Sequence, residues 1–186
     1  MWKNTQETYG SAAKSLHWLI ALLVIGMLIF GFILTGLADN PTTSELIGVH
    51  KSVGLTILLL MIIRLCWRFI NPQPLLPMTV PLWEQIAARS VHVFFYFALF
   101  LMPISGWVMS SLGGHPVNFW GWIDVRLPVA VNKPLAKQFF NVHTTIAWII
   151  IGLLVLHIGA AIKHHFIEKN NVLRRMLPGY KPPHLF

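Results

Sequence analysis

Long apolar runs separated by short clusters of charge and proline set the pattern of the chain. Between Lys14 and Asp39 no residue is charged, and Leu16 to Leu37 is apolar apart from His17 and Thr35. About 20 apolar residues suffice to cross the hydrocarbon core of a bilayer, so this run predicts a first membrane helix over about 15–37. A second helix is expected over about 46–69, with Lys51 near one end and Arg64 and Arg68 near the other, where long side chains can snorkel to the headgroups. A third, over about 90–111, contains Pro103 and Gly106, which membrane helices tolerate where neighbours satisfy the freed backbone groups, and a kink is expected at Pro103. The fourth lies in the charge-free stretch between Lys137 and Lys163 and is expected over about 139–166. The predicted fold is therefore all-α: an integral membrane four-helix bundle, up-down-up-down, in a single domain spanning 1–186.

Composition supports the bilayer as solvent. Of 186 residues, 55% are hydrophobic and only 11% charged, too apolar for a soluble domain of this size. The net charge of +8 does not point to nucleic acid, because the basic residues punctuate apolar runs and form no polar patch. They report topology instead. Lys3, Lys14, Arg64, Arg68, Arg89, Lys163, Lys169, Arg174, Arg175 and Lys181 share one side; Lys51, Arg126, Lys133 and Lys137 share the other. The positive-inside bias places both termini in the cytoplasm. The first apolar run exceeds the roughly 7–15 residues of a signal-peptide core, so it is expected to be retained.

The connections are short. Asp39 to Glu45 reads as an external polar turn, Asn71 to Pro81 with its four prolines as an extended cytoplasmic strap, and Ser110 to Gln138 as the largest external segment, with Trp120 and Trp122 as interface anchors. The lone Cys66 excludes an internal disulfide and any multi-cysteine cluster, and reads as a packing residue.

Nine histidines are unexpected in so apolar a chain. His17, His50, His92, His143 and His157 fall in or just inside the spans. A buried imidazole has an ordinary alternative, an interhelical hydrogen bond worth about 0.6 kcal/mol. The spacing argues for more. His143 and His157 are fourteen residues apart, which on an α-helix leaves them about 40° apart in direction and about 21 Å apart in height. Antiparallel spans supply partners at both depths: His50 at the external level of His143, and His17 or His92 at the internal level of His157.

Two sites about 20 Å apart cannot share one zinc or copper ion, and the six acidic residues lie outside the spans or at their ends, which argues against a proton relay through the membrane. Haem suits such sites. Its iron takes an imidazole on each face, and its macrocycle fits between helices. Gly54, on the His50 face, would leave room for the ring, although close helix packing is an equal use for it. Two bis-histidine centres at two depths would conduct electrons across the membrane.

The residues Ser15-Leu16-His17-Trp18, His50-Lys51-Ser52-Val53-Gly54, Arg64, His143, the run from His157 to Phe166 and the tail from Lys169 to Pro178 resemble the bacterial four-helix di-haem cytochrome b561 family, over roughly residues 12–178. The resemblance implies an inner-membrane, multi-pass protein with two haem b groups, His17 with His157 holding the inner iron and His50 with His143 the outer. It thereby assigns the inner ligand to His17 and leaves His92 as a helix–helix hydrogen-bonding residue or as a near-haem or quinone-site residue.

Resemblance to the superoxide-oxidising members implies a reaction: superoxide becomes O₂ at the external face and electrons pass to ubiquinone. Lys51, Arg126, Lys133 and Lys137 would attract the anion. His164, with Lys163, Arg64 or Arg89 nearby, would offer donors to quinone carbonyls. Two other readings stand beside this one: an electron-carrying subunit linking the quinone pool to a soluble redox protein, and a non-redox membrane scaffold. His115 and His184 suggest no role.

Overall fold

A computed structural model describes residues 1–75, 77 and 79–180. Leu76, Met78, Lys181 and His184 lie outside the described residues. Four long helices carry the chain: α1 (Ser11–Thr35), α2 (Pro41–Ile70), α3 (Leu82–Leu112) and α4 (Lys133–Ile162). Each is long and apolar enough to cross a membrane. α1 packs on α2, α2 on α3, and α3 most extensively on α4. Large apolar side chains such as Leu22, Ile29, Phe97, Trp148 and Val155 are exposed around the outside, as a bundle solvated by lipid requires.

All four helices start earlier than their apolar runs, α1 at Ser11. Asn40 accepts from the Thr43 amide at 2.9 Å, with Pro41 in the first turn of α2. Asn132 accepts from the Leu135 amide at 3.0 Å, with Pro134 in the first turn of α4. Asparagine caps followed by proline are strong helix starts, so the polar residues of the expected turn and loop, including Lys133 and Lys137, are wound into helix. α3 begins at Leu82, directly after Pro81.

Two features go beyond plain helices. The segment between α3 and α4 contains an antiparallel hairpin of β1 (Val117–Phe119) and β2 (Ile123–Val125), with Val117 opposite Val125 and Phe119 opposite Ile123. α4 ends in a widened π-helical turn, Lys163–Ile167, followed by a 3₁₀ turn at Arg174–Met176. Pro103 sits inside α3.

Inside the bundle, Ile20, Val24, Ile57, Met61, Ala98, Ile146 and Ile150 form the buried core. On α1, α2 and α4 they recur at a four-residue step, the spacing of a stripe that faces the bundle interior, and α3 contributes Ala98.

The first ten residues form a clamp on the α2–α3 connection. Asn4 is buried, donates to the Pro72 carbonyl at 3.0 Å and accepts from the Gly10 amide at 2.9 Å. The Leu75 amide donates to Gln6, Arg175 donates to the Leu75 carbonyl, and Trp2 stacks on Trp67 at 4.9 Å. Gly10 is needed for this approach, because a Cβ there would lie 2.2 Å from the Trp2 carbonyl oxygen.

Asn4→Ala removes both bonds and strands a buried amide. The expected loss is about 1–3 kcal/mol, read as a lower thermal midpoint in detergent and as new protease sensitivity within residues 1–10. Unchanged cleavage would show that the clamp contributes nothing to stability.

Candidate functional site: two histidine layers in the bundle interior

The interior stripe of each helix begins and ends with polar residues that hydrocarbon would otherwise exclude. On α1 it runs His17, Ile20, Val24, Leu28, Gly31; on α2 His50, Gly54, Ile57, Met61, Arg64; on α4 His143, Ile146, Ile150, His157. The helices meet along these stripes, so the rings meet too. His50 and His143 lie with ring centres 6.3 Å apart and planes at 68°. His17 and His157 lie 6.1 Å apart at 69°. The core residues Val24, Ile57 and Ile150 separate the two layers.

These separations test the fit to a metal held between two imidazoles. A metal–imidazole nitrogen bond is about 2.0 Å, and the nitrogen lies roughly 1.1 Å from the ring centre, so two trans imidazoles have centres about 6 Å apart. Both pairs meet that value. Direct hydrogen-bonded rings would be nearly as far apart, but no bond joins either pair, and the His50 Nδ1 atom is buried without a partner.

The outer layer is shaped around its rings. A cavity between the helices is lined by His50, His143 and Gly54, with Val24, Leu28 and Leu99 among its apolar neighbours. A Cβ on Gly54 would touch nothing within 4 Å, which leaves open space on the His50 face. Gly106 has a sharper role: a Cβ there would come within 3.0 Å of His143 Cε1. Next to Pro103, the Met102 carbonyl lies 2.9 Å from His143 Nδ1, and Ser105 Oγ lies 3.0 Å from the same nitrogen. A carbonyl only accepts, so Nδ1 carries the proton and Nε2 keeps its lone pair. This is how a metal-ligating histidine is oriented.

In the inner layer His157 has a second histidine neighbour, His92 of α3, at 5.4 Å, and Phe95 edge-on at 5.6 Å. Both His17 and His92 thus reach His157.

Above the outer layer the hairpin is bound to α2 and α3. Ser52, two residues from His50, is buried; its hydroxyl lies 3.1 Å from the Asn118 carbonyl and accepts from the Trp120 amide at 3.2 Å. Trp120 Nε1 donates to Thr56, and Trp107 Nε1 to the Val125 carbonyl. Trp120 takes a positive φ of 53° to make this contact, a conformation unfavourable for a bulky residue unless its surroundings hold it. Trp122 at the tip is exposed. A two-stranded cap built from three-residue strands gives little periodic signal, and only Gly121 marks its turn in the sequence.

At the other end His164 is buried in an ionic cluster. Its Nδ1 lies 2.7 Å from Glu168, its Nε2 3.8 Å from Glu84, and Lys163 bridges Glu84 at 2.6 Å and Glu168 at 2.8 Å. The i,i+4 spacing of His164 and Glu168 is readable from the sequence; Glu84, from the start of α3, is brought in only by the fold. Arg89 is exposed, His165 is half-buried, and His115 closes a turn with Ser110.

Four membrane-length helices with imidazoles paired in the interior make a bundle that offers paired ring nitrogens to a metal-bearing group. The family model for prokaryotic cytochrome b561 matches residues 8–179. The chain is 36% identical over 176 residues to cytochrome b561 homolog 2 of Escherichia coli (strain K12), covering 94% of this chain and 93% of that protein. It is 30% identical over 168 residues to cytochrome b561 homolog 1 of the same organism, covering 89% and 94%. It is 29% identical over 173 residues to a probable superoxide oxidase, CybB, of Yersinia pestis, covering 92% and 97%. The chain belongs to the prokaryotic cytochrome b561 family: multi-pass, haem b-binding electron-transfer proteins of the inner membrane.

The ionic cluster generates a pH prediction. The hydrogen bond from Lys163 holds the Glu168 carboxyl below the usual carboxylate range, partial desolvation opposes this, and His164 adds to the lowering. A lowered carboxylate stabilises the fold above its unfolded pKa of about 4.3, and that contribution is lost as pH falls through the lowered value. Amide protection factors across residues 163–168, taken relative to the intrinsic exchange rate at each pH, should therefore fall on acidification below about pH 4.3 in the native protein and not in Glu168→Gln. Parallel profiles for the two would separate the cluster from the order of this turn.

Proposed function

We propose that the protein holds two haem b groups, one between His50 and His143 near the external face and one between His17 and His157 near the cytoplasmic face, and that it oxidises superoxide outside and reduces ubiquinone at the inner side. The observation that carries this reading is the pair of ring separations, 6.3 Å and 6.1 Å, one in each layer. In this reading the helices run up-down-up-down, both termini are cytoplasmic, and residues 1–186 are one domain. The distribution of basic residues supports that orientation. Between the two neighbours of His157, His17 is the ligand and His92 packs beside it. The 6.1 Å separation of His17 suits a shared metal, and the 5.4 Å separation of His92 is short for one.

Bound there, bis-histidine haem supplies one-electron chemistry with no open coordination position. The chain's own residues do the rest. Lys51 beside His50, exposed Arg126 on the segment after β2, and Lys133 and Lys137 on the first turns of α4 raise the local concentration of a small anion. The Met102 carbonyl and Ser105 hold His143 in one tautomer. Ile57, Met61 and Ile150 keep water from the space between the layers. Two superoxide ions each lose one electron and leave as O₂; one ubiquinone takes both electrons and two protons and leaves as ubiquinol. His164, held at Nδ1 by the Glu168 carboxylate, donates from Nε2 at a quinone oxygen, and the two protons of ubiquinol come from the water of the cytoplasmic side. The similarity to a probable superoxide oxidase supports the choice of donor.

Purified protein should bind two haems per chain. His50→Ala or His143→Ala should leave only the inner one, and His17→Ala or His157→Ala only the outer; two haems surviving any one of these changes would contradict the assignment. A superoxide flux should drive ubiquinone reduction with no other polypeptide present, and a rate no higher than background would sink the proposed reaction. Raising ionic strength from about 0.01 to 0.15 M shortens the screening length from roughly 30 to 8 Å, so the rate should fall severalfold. His164→Ala should slow quinone reduction at least tenfold while superoxide still reduces the haems at the native rate.

A further inference from the structure

The interior stripe of α2 does not end at the core. His50, Gly54, Ile57, Met61 and Arg64 follow one another at steps of four, three, four and three, and Ile57 and Met61 are buried in the core cluster. Fourteen residues separate His50 from Arg64, the same interval that separates His143 from His157 on α4. Such an interval advances a helix by about 21 Å and leaves the two side chains about 40° apart. Where α4 presents its second histidine, α2 therefore presents an arginine.

Among the described residues this arginine has no anionic partner. Its Nη1 atom is buried and makes no hydrogen bond; neither do Trp67 Nε1, one turn further on, and Arg175 Nε. Among the described residues, the side-chain ion pairs involve Lys163 and His164, and no carboxylate reaches Arg64, Arg68 or Arg175. The same three arginines surround Tyr9, whose phenol is raised by burial and drawn back down by Arg68, Arg64 and Arg175. A guanidinium N–H in a low-dielectric interior is strongly unfavourable unless an anionic oxygen meets it, and the planar fork of arginine suits a carboxylate in particular.

We infer that Arg64 is the anchor for a haem propionate in the inner layer, its buried N–H donating to the carboxylate. The inference rests on the two-haem reading, since it needs a macrocycle between His17 and His157. It gives Arg64 a binding task at the inner layer in place of a share in quinone binding. It also explains why an interior stripe of apolar residues carries a charge at this depth: the propionate neutralises the arginine, and the arginine keeps the carboxylate from opposing reduction of the iron beside it.

The test uses the full chain in detergent with both haems bound. Arg64→Gln should lower the midpoint potential of the inner haem and leave that of the outer haem unchanged, because removal of a positive charge disfavours the reduced form. Arg64→Lys, which keeps the charge and gives up the fork, should shift it less. Loss of the inner haem alone from Arg64→Gln also supports the anchor. With haem ¹³C-labelled at its propionate carboxyls, the carboxylate band in the redox difference infrared spectrum should move in Arg64→Gln. Native potentials in Arg64→Gln, an equal shift of both haems, or an unmoved band would overturn the inference, and the last would leave a lipid phosphate as the partner of Arg64. A native protein that binds one haem, or whose inner haem survives His17→Ala, ends the two-haem reading itself; a native inner potential in a two-haem Arg64→Gln ends only the anchor.

Discussion

An imidazole carried into hydrocarbon has to find a place for its ring nitrogens, and the rest of the bundle is arranged around that requirement. Each histidine layer sits where interior stripes from different helices converge, and between the layers the stripes are purely apolar: Ile20 and Val24 of α1, Ile57 and Met61 of α2, Ala98 of α3, Ile146 and Ile150 of α4. The apolar plug excludes water, so each polar contact on either side of it acts in a low dielectric and matters correspondingly more. The small residues follow from the same requirement. Gly106 lets His143 lie against α3, and Gly31 leaves 3.3 Å between a hypothetical Cβ and His50 Cε1; larger side chains at either position would displace a ring from its partner.

The two ends of the bundle meet the membrane boundary by different means. At the outer end a small hairpin is fixed by hydroxyls and indoles, with Ser52 and Thr56 of α2 holding the backbone and side chain of Trp120. Those contacts are uncharged, and among the described residues no carboxylate pairs with Lys51, Arg126, Lys133 or Lys137. At the other end the boundary is ionic and crowded. Lys163 and His164 of the π-helical turn tie the end of α4 to Glu84 at the start of α3, while the N-terminal clamp sets Trp2 against Trp67 of α2 and the tail meets α1, where Trp18 donates to the Met176 carbonyl. A neutral rim with free cations suits the approach of a small anion, and a network of acid, base and amide suits proton exchange, which is the division of labour the proposed reaction demands.

Periodicity made much of the site legible. Fourteen-residue spacing on an α-helix returns a side chain to nearly the same face, so His143 and His157 already point to two layers, and alternation of spans supplies His50 and His17 at matching depths. What periodicity does not encode is lateral approach. His92 and His17 are equivalent by depth, and only the packing of α1, α3 and α4 sets their rings at 5.4 Å and 6.1 Å from His157. The early starts of α2 and α4 were readable in Asn40-Pro41 and in Asn132-Lys133-Pro134, since a cap and a proline outweigh the polarity of the residues that follow. The hairpin was not, because strands of three residues held by side chains from another element carry almost no pattern of their own.

The amino-acid sequence by itself determined that this chain is a membrane bundle of four helices with polar rings at two depths, because hydropathy and helical repeat are local properties that survive without knowledge of neighbours. Only the tertiary structure decided which nitrogens are free. The Met102 carbonyl beside Pro103 claims His143 Nδ1 and leaves Nε2 available; Glu84 and Glu168 enclose His164; and among the described residues no carboxylate meets the buried Nη1 of Arg64. Each depends on groups far apart in the chain that meet only when the helices pack, and hydrogen bonding is too short-ranged to be read before they do.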